Sequence, residues 1–507
     1  MSSSRRMFLG IVVVLTATQA GACRCADPLS RVDEVVRALG ELPAPGERLS
    51  QDWYRVEIQN QPAGFVHNTV YRVPPGGGGG YLVRHQSRVA IVRQGERAVI
   101  EENTAVHENE DGHLLRLRKT KTQPGARERI EAGRSGSEFV TVVNDEIRRE
   151  PLSPPIFAIV RLEWHLFRQG LRPGARLEVR VYDAENGGAC RIPIEVREAS
   201  ATGASIEAGS CAAPGAVIAL RLDGEGRIIE SVQTLGRLRI RSVRAEGPLD
   251  VPHGANLDDL MAIRVEPLAG YPHNARRARL RLSNFPSELP APPDGAGQRV
   301  LGRLAPGSFE IELSVPDPPP HLPYPLVEVP PEVVPHLAPA AQVQSDHPEI
   351  VAAAHEATRG ASDALDAVLR LARTANRRLR SDMKTPNASA LDAWRAESGD
   401  CSERALLLAA LCRAAGIPAR GVLGLVYSDR AFGFHMWNEV FLGGWIPLDA
   451  GLEGLPARPT HLRLAIDPLL PGMAERETRE AAGVVASDLK IEFVSLEPLS
   501  PAESAPP

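Results

Sequence analysis

The sequence predicts a multidomain α+β protein, in which β-rich N-terminal modules of antiparallel sheets are followed by an α+β domain. Three observations predict it. From about Asp52 to Pro316 the chain is a succession of short alternating runs, such as "WYRVEIQNQPAGFVHNTVYRV", "GYLVRHQSRVAIVRQ", "RLEVRVYD" and "RLRIRSVRAE", separated by Gly, Pro and Asp-Gly. That period of two marks half-buried strands. The proline-dense "PDPPPHLPYPLVEVPPEVVPHLAP" (Pro316–Pro339) then breaks the pattern. Beyond it, "ESGDCSERALLLAALCRAAGIPAR" (Glu397–Arg420) reads as a helix apolar on almost every face, which must be buried on most sides. A chain of 507 residues exceeds a single core.

The front end reads as an export signal over residues 1–22. Arg5 and Arg6 precede an apolar stretch from Met7 to Leu15, and Ala20-Gly21-Ala22 forms a small-residue cleavage site. The stretch is too short for a membrane span. "SRRMFLG" resembles the twin-arginine export pattern, although two arginines before an apolar run also occur in ordinary secretory signals, which we favour. Cys23 follows the cleavage site and is a candidate lipidation position, with Ala20 where a large aliphatic residue usually stands. The expected location is the periplasm, the cell envelope or the exterior, with any membrane association through the N-terminus.

The remaining organisation follows from composition. Residues 23–50 form a linker or helix, 51–155 a first β-rich module and 156–315 a second, with the boundary at "REPLSPPIF". Residues 316–343 are too rich in proline for a packed element and read as an extended linker or strap. Residues 344–470 form the α+β domain. In 471–507 one strand, "LKIEFVSLE", precedes a tail rich in Pro, Ser and Ala that we expect to be disordered. "PPGGGGGY" (Pro74–Tyr81) lacks a following Gly-Lys-Ser/Thr and is a loop rather than a phosphate cradle. The net charge of −5 carries no nucleic-acid signature, and "NRRLR" near Asn376 reads as the solvated end of a helix.

Six cysteines are present: Cys23, Cys25, Cys190, Cys211, Cys401 and Cys412. Cys190 and Cys211 flank the alternating segment "RIPIEVREASATGASIEAG" and are placed to bridge two strands in an oxidising compartment. No pair has zinc-site spacing and there is no H-E-x-x-H, so no metal is expected. His107-Glu108 and His355-Glu356 are isolated and read as solvated pairs.

The apolar helix places its chemistry at one end. Asp400 is a good N-cap and Glu403 completes a capping box, while Gly416 and Pro418 end the helix. Cys401 therefore sits in the first turn. Free N–H groups and the helix dipole there favour a thiolate and offer donors to an oxyanion. Cys412, between Leu411 and Arg413 on the same helix, is expected to be an inert core residue. At eleven positions, about 16 Å along the axis, the two thiols are beyond disulfide reach.

A nucleophilic cysteine needs a base, and the base needs an orienting group. "FGFHMWNEVFLGGWIPLDAG" (Phe432–Gly451) reads as a hairpin. With a three-residue loop, Leu442–Gly444, Phe441 opposes Trp445 and Trp437 opposes Asp449. His435 and Asp449 then lie diagonally on one face, about 7–8 Å apart at the backbone. A two-residue loop would put them on opposite faces.

"GDCSERALLLAALCRAAGIPARGVLGLVY" followed by "FHMWNEVFLGGWIPLDAG" closely resembles the bacterial transglutaminase-like superfamily of papain-like cysteine enzymes. The resemblance covers about 130 residues, from Ser345 to about Leu464. It implies a papain-like, transglutaminase-like α+β domain with Cys401 as nucleophile, His435 as general base and Asp449 orienting the imidazolium. It further implies acyl transfer from a peptide or side-chain amide through a thioester, without metal or organic cofactor, with hydrolysis favoured over cross-linking. Members often carry His where Arg404 stands. Asn387, Ser389 and Trp394 are candidates for the second oxyanion donor. The alternative is a non-catalytic scaffold or binding protein that keeps the fold and works through its β region.

Overall fold

The computed structural model describes residues 28–499, apart from 94–95, 124–125, 144–145, 153–154, 185–187, 212–215, 267–271, 287–288, 317–318, 341, 382–388, 429, 452–458, 470–483 and 485–486. The export signal, Cys23, Cys25 and Asn387 lie outside the described residues. Among those described, no helix is long and apolar enough to cross a membrane.

The first unit ends at Asp258. After a helix α1 (Pro28–Ala38), eight antiparallel neighbours follow in chain order: β1 (Arg48–Ile58), β2 (Gln61–Arg72), β3 (Tyr81–Arg93), β4 (Glu96–Glu108), β5 (Leu114–Gln123), β6 (Ala126–Ser135), β7 (Glu138–Val143) and β8 (Glu146–Pro151). The turns fit their residues. Gln59 and Asn60, both in the left-handed region (φ 51° and 61°), make the two-residue link between β1 and β2, where strand twist requires positive φ. β9 (Phe157–Ala158) and the helix α2 (Leu162–Arg168) lead into β10 (Arg176–Asp183), β11 (Gly188–Ser200), β12 (Gly203–Gly209), β13 (Val217–Asp223), β14 (Ile228–Leu235) and β15 (Leu238–Ala245).

These strands do not form the two modules expected on either side of "REPLSPPIF". They form one sheet, because β1 pairs with β2 on one side and with β15 on the other: Trp53 lies opposite His67 and Ala245. The segment read as a boundary instead joins β8 to β9, the two ends of the strand order. β16 (Ala255–Asn256) adds in parallel to β3. Val83, Val106, Leu117, Ile130, Phe139 and Tyr182 meet in one core cluster. α2 sets Leu162 and Leu166 on β10 and β11, while its Phe167 packs towards β11–β13. The disulfide Cys190–Cys211 ties β11 to the segment after β12. Glu108, expected to be solvated, is fully buried and accepts hydrogen bonds from Arg161 (3.0 Å) and His165 (2.9 Å). α2 brings it these donors across more than 50 positions, a pairing invisible to local pattern.

The second unit begins within α3 (Asp258–Met261). β17 (Ala262–Arg264) pairs with a strand of the later domain. β18 (Ala275–Ser283), β19 (Gln298–Ala305) and β20 (Ser308–Ser314) form a small sheet. Then come four helices, α4 (Pro348–Thr358), α5 (Ala364–Arg378), α6 (Ala390–Ala396) and α7 (Cys401–Ala414), with two short strands, β21 (Arg380–Ser381) and β22 (Ser398–Gly399). β23 (Ala419–Ser428), β24 (Ala431–Phe441), β25 (Trp445–Leu448) and β26 (His461–Asp467) complete a second sheet in the order β17-β24-β23-β26, with β25 on β24. β27 (Lys490–Pro498) pairs with β18. The last strand therefore belongs to the small sheet and is no separate extension, and Phe493 packs against Tyr427 and Phe432.

α7 is the axis of this unit. Leu407 to Cys412 are fully buried, because α4, α5 and α6 cover one side of the helix and β23 and β24 the other. The proline-rich segment has no strand among its described residues, holds a short 3-10 turn at Val334–Leu337, and is packed. Tyr324 donates to Thr358 Oγ1 (3.1 Å), Leu322 accepts from the Ala364 amide (2.9 Å), and the His336 ring meets Trp445 edge-on at 5.0 Å. Prolines bring no N–H to satisfy, so a proline-rich strap can lie on other elements without a pairing partner. Arg413 pins its end, donating to Ala338 O (2.7 Å) and also to the carbonyls of Ala419, Pro468 and Leu469.

Candidate active site

The helix start is built by its own side chains. Asp400 takes the N-cap with extended backbone, and its carboxylate accepts from the amides of Ser402 (2.8 Å) and Glu403, while Glu403 returns a bond to the Asp400 amide (2.9 Å). Burial, and then the neighbouring Asp400, push Glu403 up to about 9, so this side chain is neutral at pH 7. Gly399 explains the Gly-Asp-Cys order. A Cβ there would stand 2.4 Å from Cβ of Glu403, so only glycine lets the capping side chain fold back. Arg404 N bonds Asp400 O (3.1 Å), so the amides of Ser402, Glu403 and Arg404 are all engaged around Asp400.

The hairpin has the three-residue loop. Phe441 opposes Trp445 and Asn438 opposes Leu448, so the next pair is Trp437 and Asp449. His435 and Asp449 thus share a face, and His435 Nε2 donates to Asp449 Oδ2 at 2.7 Å. An ionised carboxylate only accepts, so Nε2 carries hydrogen and Nδ1 is left for the hydrogen bond that His435 makes with Cys401. The structure brings the three residues together from α7, β24 and the residue after β25.

A fourth residue joins them. His461, the first residue of β26, donates from Nε2 to the same Asp449 oxygen at 3.1 Å, and Gly451 N bonds Oδ1 at 2.8 Å. Burial would raise Asp449, but the bonds from His435 and His461 outweigh it and hold the carboxyl well below the usual range. Burial would likewise lower His435, yet the bonds with Asp449 and then Cys401 push it up to about 10. Cys412 goes the other way: burial lifts its thiol to about 12, as suits an inert core residue. The nitrogens of His435 and His461 and an oxygen of Asp449 lie within 4.8 Å of one another and are of metal-ligand type. Here they hydrogen-bond one another through Asp449 Oδ2, while Gly451, Cys401 and Thr460 take further polar atoms of the three.

The alternation His435, Trp437, Glu439 is accounted for strand by strand. Glu439 is buried and accepts from Arg420 on β23 (2.6 and 2.8 Å) and from Arg463 on β26, tying β24 to its neighbour β23 and to β26 beyond it. Arg463 also donates to Gly295 O in the loop before β19. Gly424, opposite His435, allows the sheet to close: a Cβ there would meet Leu462 O at 2.2 Å and the Trp437 ring at 2.6 Å.

Two of the residues considered as second oxyanion donors have other partners. The Ser389 hydroxyl caps α6 and donates to Asp392 at 2.6 Å, and the Trp394 ring lies under the Arg378 guanidinium at 4.3 Å. Arg404 donates to Leu379 O (2.7 Å) and its stem approaches Gly451. His461 and Arg463 escaped sequence reading. Their signal is weak, an alternating "THLRL" that gives no sign of where its strand pairs.

The family model described as the transglutaminase-like superfamily matches residues 351–450. The second unit thus carries a transglutaminase-like domain, the fold of a cysteine enzyme. No curated protein matches the chain. Among solved structures, a candidate cysteine protease from Cytophaga hutchinsonii is similar at 16% identity over 48% of this chain and 92% of its own, with a TM-score of 0.31. A β-barrel-like protein of a domain of unknown function from Brucella abortus is 11% identical over 40% of this chain and 98% of its own, with a TM-score of 0.31. A candidate protease from Parabacteroides distasonis is 11% identical over 75% and 70%, with a TM-score of 0.20.

Proposed function

We propose that the transglutaminase-like domain of this chain is a cysteine acyl-transfer enzyme, with Cys401 as nucleophile, His435 as general base and acid, and Asp449 holding the imidazolium. One observation carries the reading: His435 bonds both Asp449 and Cys401, at the N-terminus of a buried helix. His435 already holds the thiol proton in the resting pair, and the Cys401 thiolate attacks an amide carbonyl. The new C–S bond forms while the carbonyl electrons move to oxygen, and the Cys401 amide at the helix start donates to that oxyanion. His435 then returns the proton to the leaving nitrogen, the C–N bond breaks, and a thioester remains on Cys401. Water, activated by the neutral imidazole, releases an acid and regenerates the thiol; an amine in its place would give transamidation. No metal or organic cofactor takes part in these steps.

Hydrolysis of peptide or side-chain amides is the favoured outcome, and the export signal read over residues 1–22 supports a site of action outside the cytoplasm. The test is mass spectrometry of the acyl-enzyme. The chain is incubated with amide-bearing peptides and quenched in acid, and the adduct mass on the Cys401 peptide is read beside Cys401→Ala. A hydroxylamine-labile adduct on Cys401, with turnover lost in the folded variant, is expected. Turnover that survives in Cys401→Ala would overturn the proposal.

A further inference from the structure

We propose that His461 is a positioning residue of this site, fixing the Asp449 carboxylate so that it holds His435 as an imidazolium paired with the Cys401 thiolate. The inference rests on the acyl-transfer reading above and deepens it.

The geometry is specific. Asp449 is 3% exposed and both its oxygens are engaged: Oδ1 by the Gly451 amide, and Oδ2 by His435 and His461 together. Gly451 is local to Asp449, two positions on, and moves with it. His461 is the partner that ties the carboxylate to another strand. β26 is itself fixed, since His461 pairs with Val426 on β23 and Thr460 O accepts from the Tyr427 amide. The imidazole is held sideways as well, with the Trp437 ring edge-on at 5.1 Å and only 6% of the side chain exposed. Without this second donor the carboxylate could turn about its own side-chain bonds, away from His435.

Among the described residues, titratable and charged groups face His461 from three elements. From the turn after β25 comes Asp449. From β24 come His435, with ring centroids 6.2 Å apart, and Glu439, which is neutralised by Arg420 and by Arg463 of β26 itself. From α7 come Cys401, through His435, and Arg404, whose stem reaches Gly451. Asp449 is thus the anion that His461 contacts, and an imidazole that donates from Nε2 meets that need.

A donor placed like Nε2 should therefore substitute for it. Gln carries its amide nitrogen about as far out as Nε2 and Asn carries it one bond shorter, so the two variants separate positioning from bulk. The experiment measures the rate of Cys401 alkylation by iodoacetamide from pH 4 to 11 in the full chain, for the native protein, His461→Ala, His461→Gln and His461→Asn, with circular dichroism as a check on folding. In the native protein the thiolate–imidazolium pair spans a wide pH window. In His461→Ala and His461→Asn the window is expected to narrow from both ends, by about one pH unit at each, a tenfold change in the pair's stability. His461→Gln is expected to keep the native window. Should His461→Ala fail to fold, the Gln and Asn variants still decide. A native window in the Asn variant, or equal narrowing in the Gln and Asn variants, would overturn the proposal. Absence of a low-pH thiolate in the native protein would instead remove the acyl-transfer reading, and this inference with it.

Discussion

Replacing Asp449 by Asn keeps the side chain's size and removes its charge. The native carboxylate only accepts, from two imidazoles on Oδ2 and from an amide on Oδ1. An amide accepts on one side alone, so however it turns, its NH2 faces an N–H donor inside a closed site. The hydrogen bonds with Asp449 and Cys401, acting against burial, lift His435 from 6.5 to about 10. At about 1.4 kcal/mol per pH unit this is roughly 5 kcal/mol in favour of the imidazolium, with Asp449 the larger of the two contributors. The sign follows from linkage. A folded-state value above the ordinary one gives stability that is complete below pH 6.5 and is lost as the pH rises through about 10. At the acid end the pair is lost as the pH falls below 3.8, through the depressed value of Asp449. Between these limits Asp449→Asn should unfold in urea with about 2–3 kcal/mol less stability, and Cys401 alkylation at pH 6 should slow as His435 loses its anchor. Overlapping denaturation curves and alkylation profiles for variant and native protein would refute the assignment of Asp449 as the partner of the imidazolium.

Further outcomes can be checked with similar tools. Gly399→Ala puts a Cβ against Glu403 and should cost about 2–3 kcal/mol in thermal or urea unfolding through strain and loss of the capping box; a change under 0.5 kcal/mol would show that the helix start can relax. Glu439→Gln leaves Arg420 and Arg463 without their buried anion and should destabilise by about 3–5 kcal/mol, read from the urea midpoint. Cys412, fully buried and pushed up to about 12, should stay unlabelled by a thiol reagent until the chain unfolds, which peptide mapping would reveal. Reducing Cys190–Cys211, which closes a separation of 21 residues, should lower stability by about 3 kcal/mol, measured by urea unfolding with and without reductant.

What could be read in advance divides along chain distance. The capped helix and the Cys401 turn are local and were legible, because capping box, helix formers and Gly-Ile-Pro exit lie within 24 consecutive residues. The approach of His435 to Asp449 hung on one turn, and the three-residue loop decided it. The continuous sheet of the first unit was not legible. It depends on β1 meeting β15 some 190 positions away, and alternation marks strands without naming their partners. His461 was missed for the same reason, since nothing in "PTHLRLAID" says that its strand pairs with β23 beside the hairpin. The strap was misjudged in part because proline density argues against secondary structure and not against packing: Tyr324 and Leu322 dock it onto α4 and α5. Glu108 repeats the lesson, with its donors at the start of α2 and on it, Arg161 and His165.

The most direct test is the alkylation rate of Cys401 against pH in the native protein, with His435→Ala measured beside it. The account predicts a reactive thiolate well below pH 7 that disappears in the variant. A thiol that titrates near the ordinary value of about 8.5, unchanged by loss of His435, would contradict it.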